Sequence, residues 1–159
     1  MFNNSVKRIG FACKIQESHN TVAPGLNTGT TTLTWLNNQT KQKAEERLWG
    51  ILEKNTKAVY EQMLWLSKQP PQLRMMRISS DLLPAYTHPD WEWFYWQPDV
   101  LKSLEKRFGD IGELARKHDI RLSFHPGQFC VLASDNPCVV ENSIHEFEYH
   151  VDLIRYMGF

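Results

Sequence analysis

Arg121-Leu122-Ser123-Phe124-His125-Pro126-Gly127 reads as a short strand, halted at its carboxyl end by a Pro-Gly pair. Helical patterns flank it on both sides. Upstream, Pro98 and Asp99 open a helix with apolar residues at Leu101, Leu104, Phe108, Ile111 and Ala115. Downstream, Asn136 is an N-cap with Pro137 in the first turn, and the expected apolar stripe is Val140, Ile144, Phe147, Val151 and Ile154. Gly158 is expected to stop that helix, and Phe159 to begin a fourth strand.

The same alternation continues toward the amino terminus. Leu73 to Ser79 predicts a strand. It follows a long helix from Lys41 to about Lys68, whose stripe is Ala44, Leu48, Ile51, Leu52, Val59, Met63 and Leu66. Pro70-Pro71 ends that helix. Val6 to Cys13 predicts a first strand. Two long connections, about Lys14 to Thr40 and Ser80 to Gln97, show no sustained period and read as loops. A βαβαβα order implies a parallel sheet with right-handed crossovers. A closed (β/α)8 barrel takes about 250 residues. Three units in 159 residues are therefore expected to be the front part of something larger.

Composition excludes several classes. The chain is 42% hydrophobic and 23% charged, with 18 basic and 18 acidic side chains, which argues against disorder or a fibrous repeat. No apolar run approaches the roughly 20 residues that cross a bilayer, and no secretory leader is legible. The three cysteines, Cys13, Cys130 and Cys138, form no disulfide framework or zinc-finger spacing, so a reducing cytoplasm is the expected setting. Zero net charge gives no global pull on nucleic acid, and any such contact must rest on local patches.

Chemistry in parallel α/β folds collects at the carboxyl ends of the strands. His125 ends a strand there, on the same face as Ser123. It is a candidate metal ligand, and equally a histidine that hydrogen-bonds at a strand end. His88, in Tyr86-Thr87-His88-Pro89, could supply a second nitrogen or simply be exposed. His19, His118, His145 and His150 have weaker cases, with His145 and His150 expected on the polar face of the last helix. Trp91-Glu92-Trp93-Phe94-Tyr95-Trp96 could stack bases, although packing is the expected role for at least half of its rings. Gln128-Phe129 joins an amide to a ring directly after His125, a pair able to wedge into a base stack. Between Glu17 and Glu45 there is no acidic residue, and Lys14, Lys41 and Lys43 flank a loop suited either to phosphate contacts or to plain solvation. Cys13 reads as a small buried residue rather than a nucleophile.

These residues together resemble the UV damage endonuclease family. The resemblance is carried by Arg8-Ile9-Gly10-Phe11-Ala12-Cys13, Thr31-Thr32-Leu33-Thr34 and Arg77-Ile78-Ser79-Ser80. It continues in Arg121 to Phe129 and in Val139-Val140-Glu141-Asn142-Ser143-Ile144. The His-Pro-Gly segment is shared with the related endonuclease IV class, so by itself it marks the superfamily. The resemblance implies the N-terminal portion, about three βα units over residues 1–159, of a (β/α)8 TIM barrel that carries divalent metals. It implies a DNA-repair nuclease that cuts 5′ to UV photoproducts, and often to abasic sites, in an excision-repair route. Manganese is the expected ion, with zinc or magnesium as alternatives, and damaged double-stranded DNA is the expected partner. The setting implied is the bacterial cytoplasm, at the nucleoid when the enzyme acts.

Carried onto this chain, the resemblance makes His88 and His125 metal ligands and Gln128 and Phe129 the pair that probes the duplex. Phe11 stands beside the lesion pocket. Phe129 and Phe11 occupy positions where the family often has tyrosine, so their stacking faces are kept and the hydroxyls lost. The family's other ligands lie on later strands, and the 159-residue chain by itself is expected to be inactive. Alternatives are an abasic-site endonuclease, a sugar isomerase of the same barrel class, or an inactive binding module.

Overall fold

The computed structural model describes residues 8–18, 21–23 and 25–159. Val6 and Lys7 of the first expected strand, and His19, lie outside the described residues. The parallel strands are β1 (Phe11–Ala12), β4 (Met75–Arg77) and β5 (Arg121–Ser123), and the antiparallel pair is β2 (Gln16–Ser18) with β3 (Thr21–Val22). The helices are α1 (Leu33–Asn37), α2 (Lys41–Ser67), α3 (Glu92–Tyr95), α4 (Pro98–Lys117) and α5 (Pro137–Tyr156), with a 3₁₀ turn at Pro71–Leu73.

Sheet order is β1-β4-β5, all parallel, with Phe11 opposite Met76 and Met76 opposite Leu122. Consecutive strands are thus neighbours, joined by α2 and then by α4, as the alternating pattern requires. The core lies between sheet and helices, where Leu48, Leu52, Met63, Met76, Leu104 and Phe108 are wholly enclosed.

Caps and stops explain the long elements. The Thr40 hydroxyl accepts the Lys43 amide at 3.4 Å at the start of α2, and the Asn136 side chain accepts the Cys138 amide at 3.0 Å at the start of α5. Helix α4 carries Asp99 in its first turn and Arg116 and Lys117 in its last, which suits the helix dipole. Its end is a Schellman turn in which Ile120 N–H reaches Ala115 O at 2.8 Å. Asp119 holds the left-handed position at φ 51°, and Arg8 grips it through both its carboxylate and its carbonyl. Helix α5 stops the same way on Gly158, at φ 76°.

Three expectations change. The connection from Lys14 to Thr40 is not bare loop: it contains the β2–β3 hairpin and α1, which Thr32 caps at Trp35 N. The connection before Pro98 likewise contains α3. Elements of two to five residues fall below the length at which hydrophobic periodicity can register.

The third change is the face that α5 buries. Ile144, Phe147, Val151 and Ile154 are 38–46% exposed, and the helix instead buries Ser143, Tyr149, His150 and Leu153. His150, expected on the polar face, is 4% exposed, with Nδ1 bonded to Glu146 O at 2.6 Å and its ring edge-on to Phe124. An aliphatic stripe and a hydrogen-bonding aromatic stripe coexist on this helix, and the tertiary bonds described below choose the second. The aromatic segment divides as expected, with Trp91, Phe94 and Tyr95 buried and Trp96 54% exposed.

Candidate functional site at the carboxyl ends of the strands

Two buried amides on α2 hold the loops that follow the strands. Asn55 accepts Gly29 N–H at 2.8 Å and donates to Gly29 O and to Leu82 O, each at 2.8 Å. Gln62 donates to Leu26 O and to Cys13 O. Both are fully enclosed, so each bond is made out of competition with water and losing one leaves an orphaned polar group. Sequence reasoning missed both. The signal was available, since Asn55 and Gln62 stand in register with Leu48, Ile51, Val59 and Leu66 on the buried stripe.

The β4 and β5 ends are tied to each other and to α5. Ser80 Oγ donates to His125 O at 2.6 Å. Ser80 O accepts the Tyr149 hydroxyl at 2.8 Å, and that hydroxyl accepts Leu83 N–H at 3.2 Å. Burial pushes the Tyr149 pKa well up, so the phenol stays protonated and able to donate. The backbone at His125 is thus set by a chain of bonds from β5 through β4 to α5, while the residue itself is exposed.

His88 is half-buried, and its loop is fixed by its own backbone. His88 N–H bonds Ala85 O at 3.1 Å, and His88 O accepts the Trp91 and Glu92 amides where α3 begins. Ala85 takes φ 60°, a left-handed conformation unusual for a residue with a Cβ. The imidazole Nδ1 accepts Asp90 N–H at 3.2 Å, and Asp90 Oδ2 stands 3.7 Å from the same nitrogen. An imidazole that accepts through Nδ1 carries its proton on Nε2. Ligation through Nε2 therefore requires the other tautomer, in which the bond from Asp90 N–H is given up and Nδ1–H faces the Asp90 carboxylate.

A cleft of about 570 Å³ opens between the His88 loop, the β5–α5 loop and the first turns of α5. His88, Gly127 and Phe129 line it together, with Asn142, His145 and Glu146 contributed by α5. The sequence singles out neither Asn142 nor Glu146 for a site and gives His145 only a weak case on the polar face of its helix, because the tertiary packing of α5 is what turns them toward the His88 loop. Phe129 is 83% exposed at the rim, and Gln128 beside it is exposed. His125 and Gln128 are not among the residues that line the cleft. Neither is Phe11, whose ring packs edge-on against Trp65 of α2 at 5.8 Å. Among the described residues, no three His, Cys, Asp or Glu side chains converge closely enough to hold an ion. The two imidazoles expected to bind metal, His88 in the cleft and His125 outside its lining, are of a chemistry that suits an ion with nitrogen ligands but fall short of the three protein ligands a catalytic zinc normally has. No described helix is long and apolar enough to cross a membrane.

Comparison with known proteins bears on what such a cleft does. A family model described as "UV-endonuclease UvdE" matches residues 7–159. A "UV DNA damage endonuclease" of Bacillus pumilus (strain SAFR-032) is 35% identical over 83 residues, covering 52% of this chain and 24% of its own length. A protein of the same description from Bacillus mycoides (strain KBAB4) is 30% identical over 118 residues, covering 74% of this chain and 35% of its own. A solved structure, "Crystal Structure of SacUVDE", superposes with a TM-score of 0.73 at 29% identity, over 96% of this chain and 46% of that one. The chain therefore spans less than half the length of each of these relatives.

Proposed function

The chain belongs to the UV-endonuclease UvdE family, and from that premise we propose that it forms part of the lesion-reading and metal-binding face of a DNA endonuclease that incises duplex DNA 5′ to UV photoproducts. The observation that carries this reading is the cleft in which His88, Gly127 and Phe129 meet at the carboxyl ends of parallel strands. Its volume exceeds that of a single base, and an exposed aromatic ring stands at its rim.

Each residue has a role under this reading. Phe129 enters the space left when a damaged pair unstacks, and the Gln128 amide bonds the exposed base edges. A photoproduct already stacks poorly, so opening it costs less than opening intact duplex, and that difference is the source of selectivity. His88, through Nε2, and His125 would hold divalent ions, manganese first among them, with zinc and magnesium as alternatives. When bound, such ions supply polarisation of the scissile phosphate and activation of a water. The Ser80 hydroxyl fixes the backbone carbonyl of His125, and the Asp90 N–H fixes the His88 ring. Two imidazoles are too few for catalysis, so incision is expected from a protein in which further βα units add ligands, and not from residues 1–159 alone.

The test is incision of irradiated plasmid by the longer protein that carries this segment. Manganese-dependent nicking that a chelator abolishes, and that His125→Ala reduces by at least a hundredfold with the helical circular dichroism unchanged, is the expected result. Chelator-insensitive nicking, or none on irradiated plasmid with manganese supplied, would overturn the reading.

A further inference from the structure

The β5–α5 loop presents three apolar side chains within four residues: Phe129, Val131 and Leu132 are 83%, 44% and 53% exposed. A loop tip of this kind would lower its free energy in water by folding its rings and methyl groups inward. Something must hold it out. Ser143, on the buried face of α5 and 2% exposed, is placed to do so. Its Oγ accepts the Val131 N–H at 2.8 Å and donates to Val139 O at 2.6 Å. The bond to Val139 is the ordinary back-bond of a helical serine, whereas the bond to Val131 reaches across to the loop. The loop also turns on its own backbone, with Cys130 N–H bonded to Gly127 O at 3.0 Å and Ser134 N–H to Val131 O at 3.3 Å. These inner turns give the loop a shape, and Ser143 is the hydroxyl that anchors that shape to α5.

We propose that Ser143 is a positioning residue that keeps loop 127–132 as a preformed wedge, so that Phe129 meets the duplex already ordered. The proposal rests on the function given above for what the wedge enters. Its physical content is separate: a loop ordered before binding loses less conformational freedom on binding than one ordered by it. Without the hydroxyl, the cost of ordering falls on recognition of damaged DNA.

Amide exchange, on residues 1–159, and duplex binding, by the longer protein used for the incision test, address the two parts separately. In Ser143→Ala the Val131 amide should exchange at least tenfold faster, while the amides of Met76 and Leu104 in the core stay protected. Ser143→Cys, which keeps the volume but is a poor acceptor, should do the same if the alanine variant proves unstable, and Ser143→Thr should restore protection. The ratio of affinities for a duplex carrying one cyclobutane pyrimidine dimer over the intact duplex should fall about tenfold in Ser143→Ala and return in Ser143→Thr. Unchanged Val131 exchange in both the alanine and cysteine variants would overturn the clamp. A freed Val131 amide with an unaltered affinity ratio would overturn the proposal as well, since the bond would then have no part in recognition. If the parent chain showed no preference for the dimer at all, the proposed function would fall, and Val131 exchange would still decide the clamp.

Discussion

Phe129 and Tyr149 show opposite uses of an aromatic ring. Phe129 stands out in solvent with no hydroxyl to satisfy, which suits a ring that enters and leaves a base stack. Replacing Gln128 and Phe129 together by alanine should reduce discrimination of damaged from intact duplex by about 5- to 150-fold, the equivalent of roughly 1–3 kcal/mol of lost stacking. Metal affinity, read by calorimetry in the longer protein, should stay unchanged, because neither side chain is assigned a ligand role. Loss of metal with full lesion selectivity would reverse the assignment.

Tyr149 is enclosed and spends its hydroxyl on Ser80 and Leu83. Its ordinary pKa is near 10, and burial raises the native value, so the native state holds its proton more tightly than the unfolded chain does. The stabilisation is complete below pH 10. It declines as the pH rises from 10 through the raised native value, by about 1.4 kcal/mol per pH unit for this side chain. Tyr86 is raised in the same direction, by burial first and then by Tyr156 and Asp152, and adds to the alkaline loss. Urea unfolding of Tyr149→Phe should show about 1–2 kcal/mol less stability at pH 7 and a flatter decline above pH 10. A variant as alkali-sensitive as the parent would show that another group governs that decline.

At the scale of elements, the close approach of α4 to the carboxyl end of α5 depends on a missing side chain. A Cβ built on Gly112 would lie 1.9 Å from Met157 O, a backbone atom that cannot swing aside. Glycine inside a helix costs roughly 1 kcal/mol relative to alanine, and packing offsets that here. Gly112→Ala should therefore destabilise the chain by about 1–3 kcal/mol despite its better helix propensity. Gly50→Ala serves as the control in the same assay, because nothing lies within 4 Å of its added methyl and the gain in propensity should show. If both substitutions stabilised the chain, α4 and α5 would not be in the contact described.

Helix α5 also shows what a linear pattern can and cannot reveal. Its start at Asn136-Pro137 and its stop at Gly158 were legible, because caps act through neighbours in sequence. Its buried face was not. Ile144, Phe147, Val151 and Ile154 recur at helical spacing as convincingly as any core stripe, yet Ser143 and Tyr149 turn the helix the other way through bonds to Val131, Ser80 and Leu83. Hydropathy undervalues a serine or tyrosine whose polar atom finds a partner on another element.

In the whole molecule, that outward stripe lies on the last helix of a sheet in which, among the described residues, β5 pairs with β4 on one side only. Apolar patches and open strand edges both favour association. Residues 1–159 are expected to bind a hydrophobic dye such as ANS and to self-associate at high concentration. The double variant Ile144→Lys with Val151→Lys should lower both dye fluorescence and apparent mass by light scattering. Dye binding and mass untouched by those charges would place the exposed apolar surface elsewhere.

The sequence by itself determined the alternation of strands with long helices, their caps, the parallel class and the strand-end position of His125, because each rests on local periodicity, on Pro and Gly stereochemistry or on short-range capping. Motif resemblance added the family. Tertiary structure alone decided that His88 and Phe129 share a cleft with Asn142 and His145, that Phe11 packs on Trp65 instead of lining it, and that α5 buries Tyr149 and Ser143. Those outcomes depend on hydrogen bonds and packing between residues as far apart in sequence as Ser80 and Tyr149. Which of two apolar faces is buried depends on the free energy of the assembled layers, to which the helix's own pattern contributes only a part.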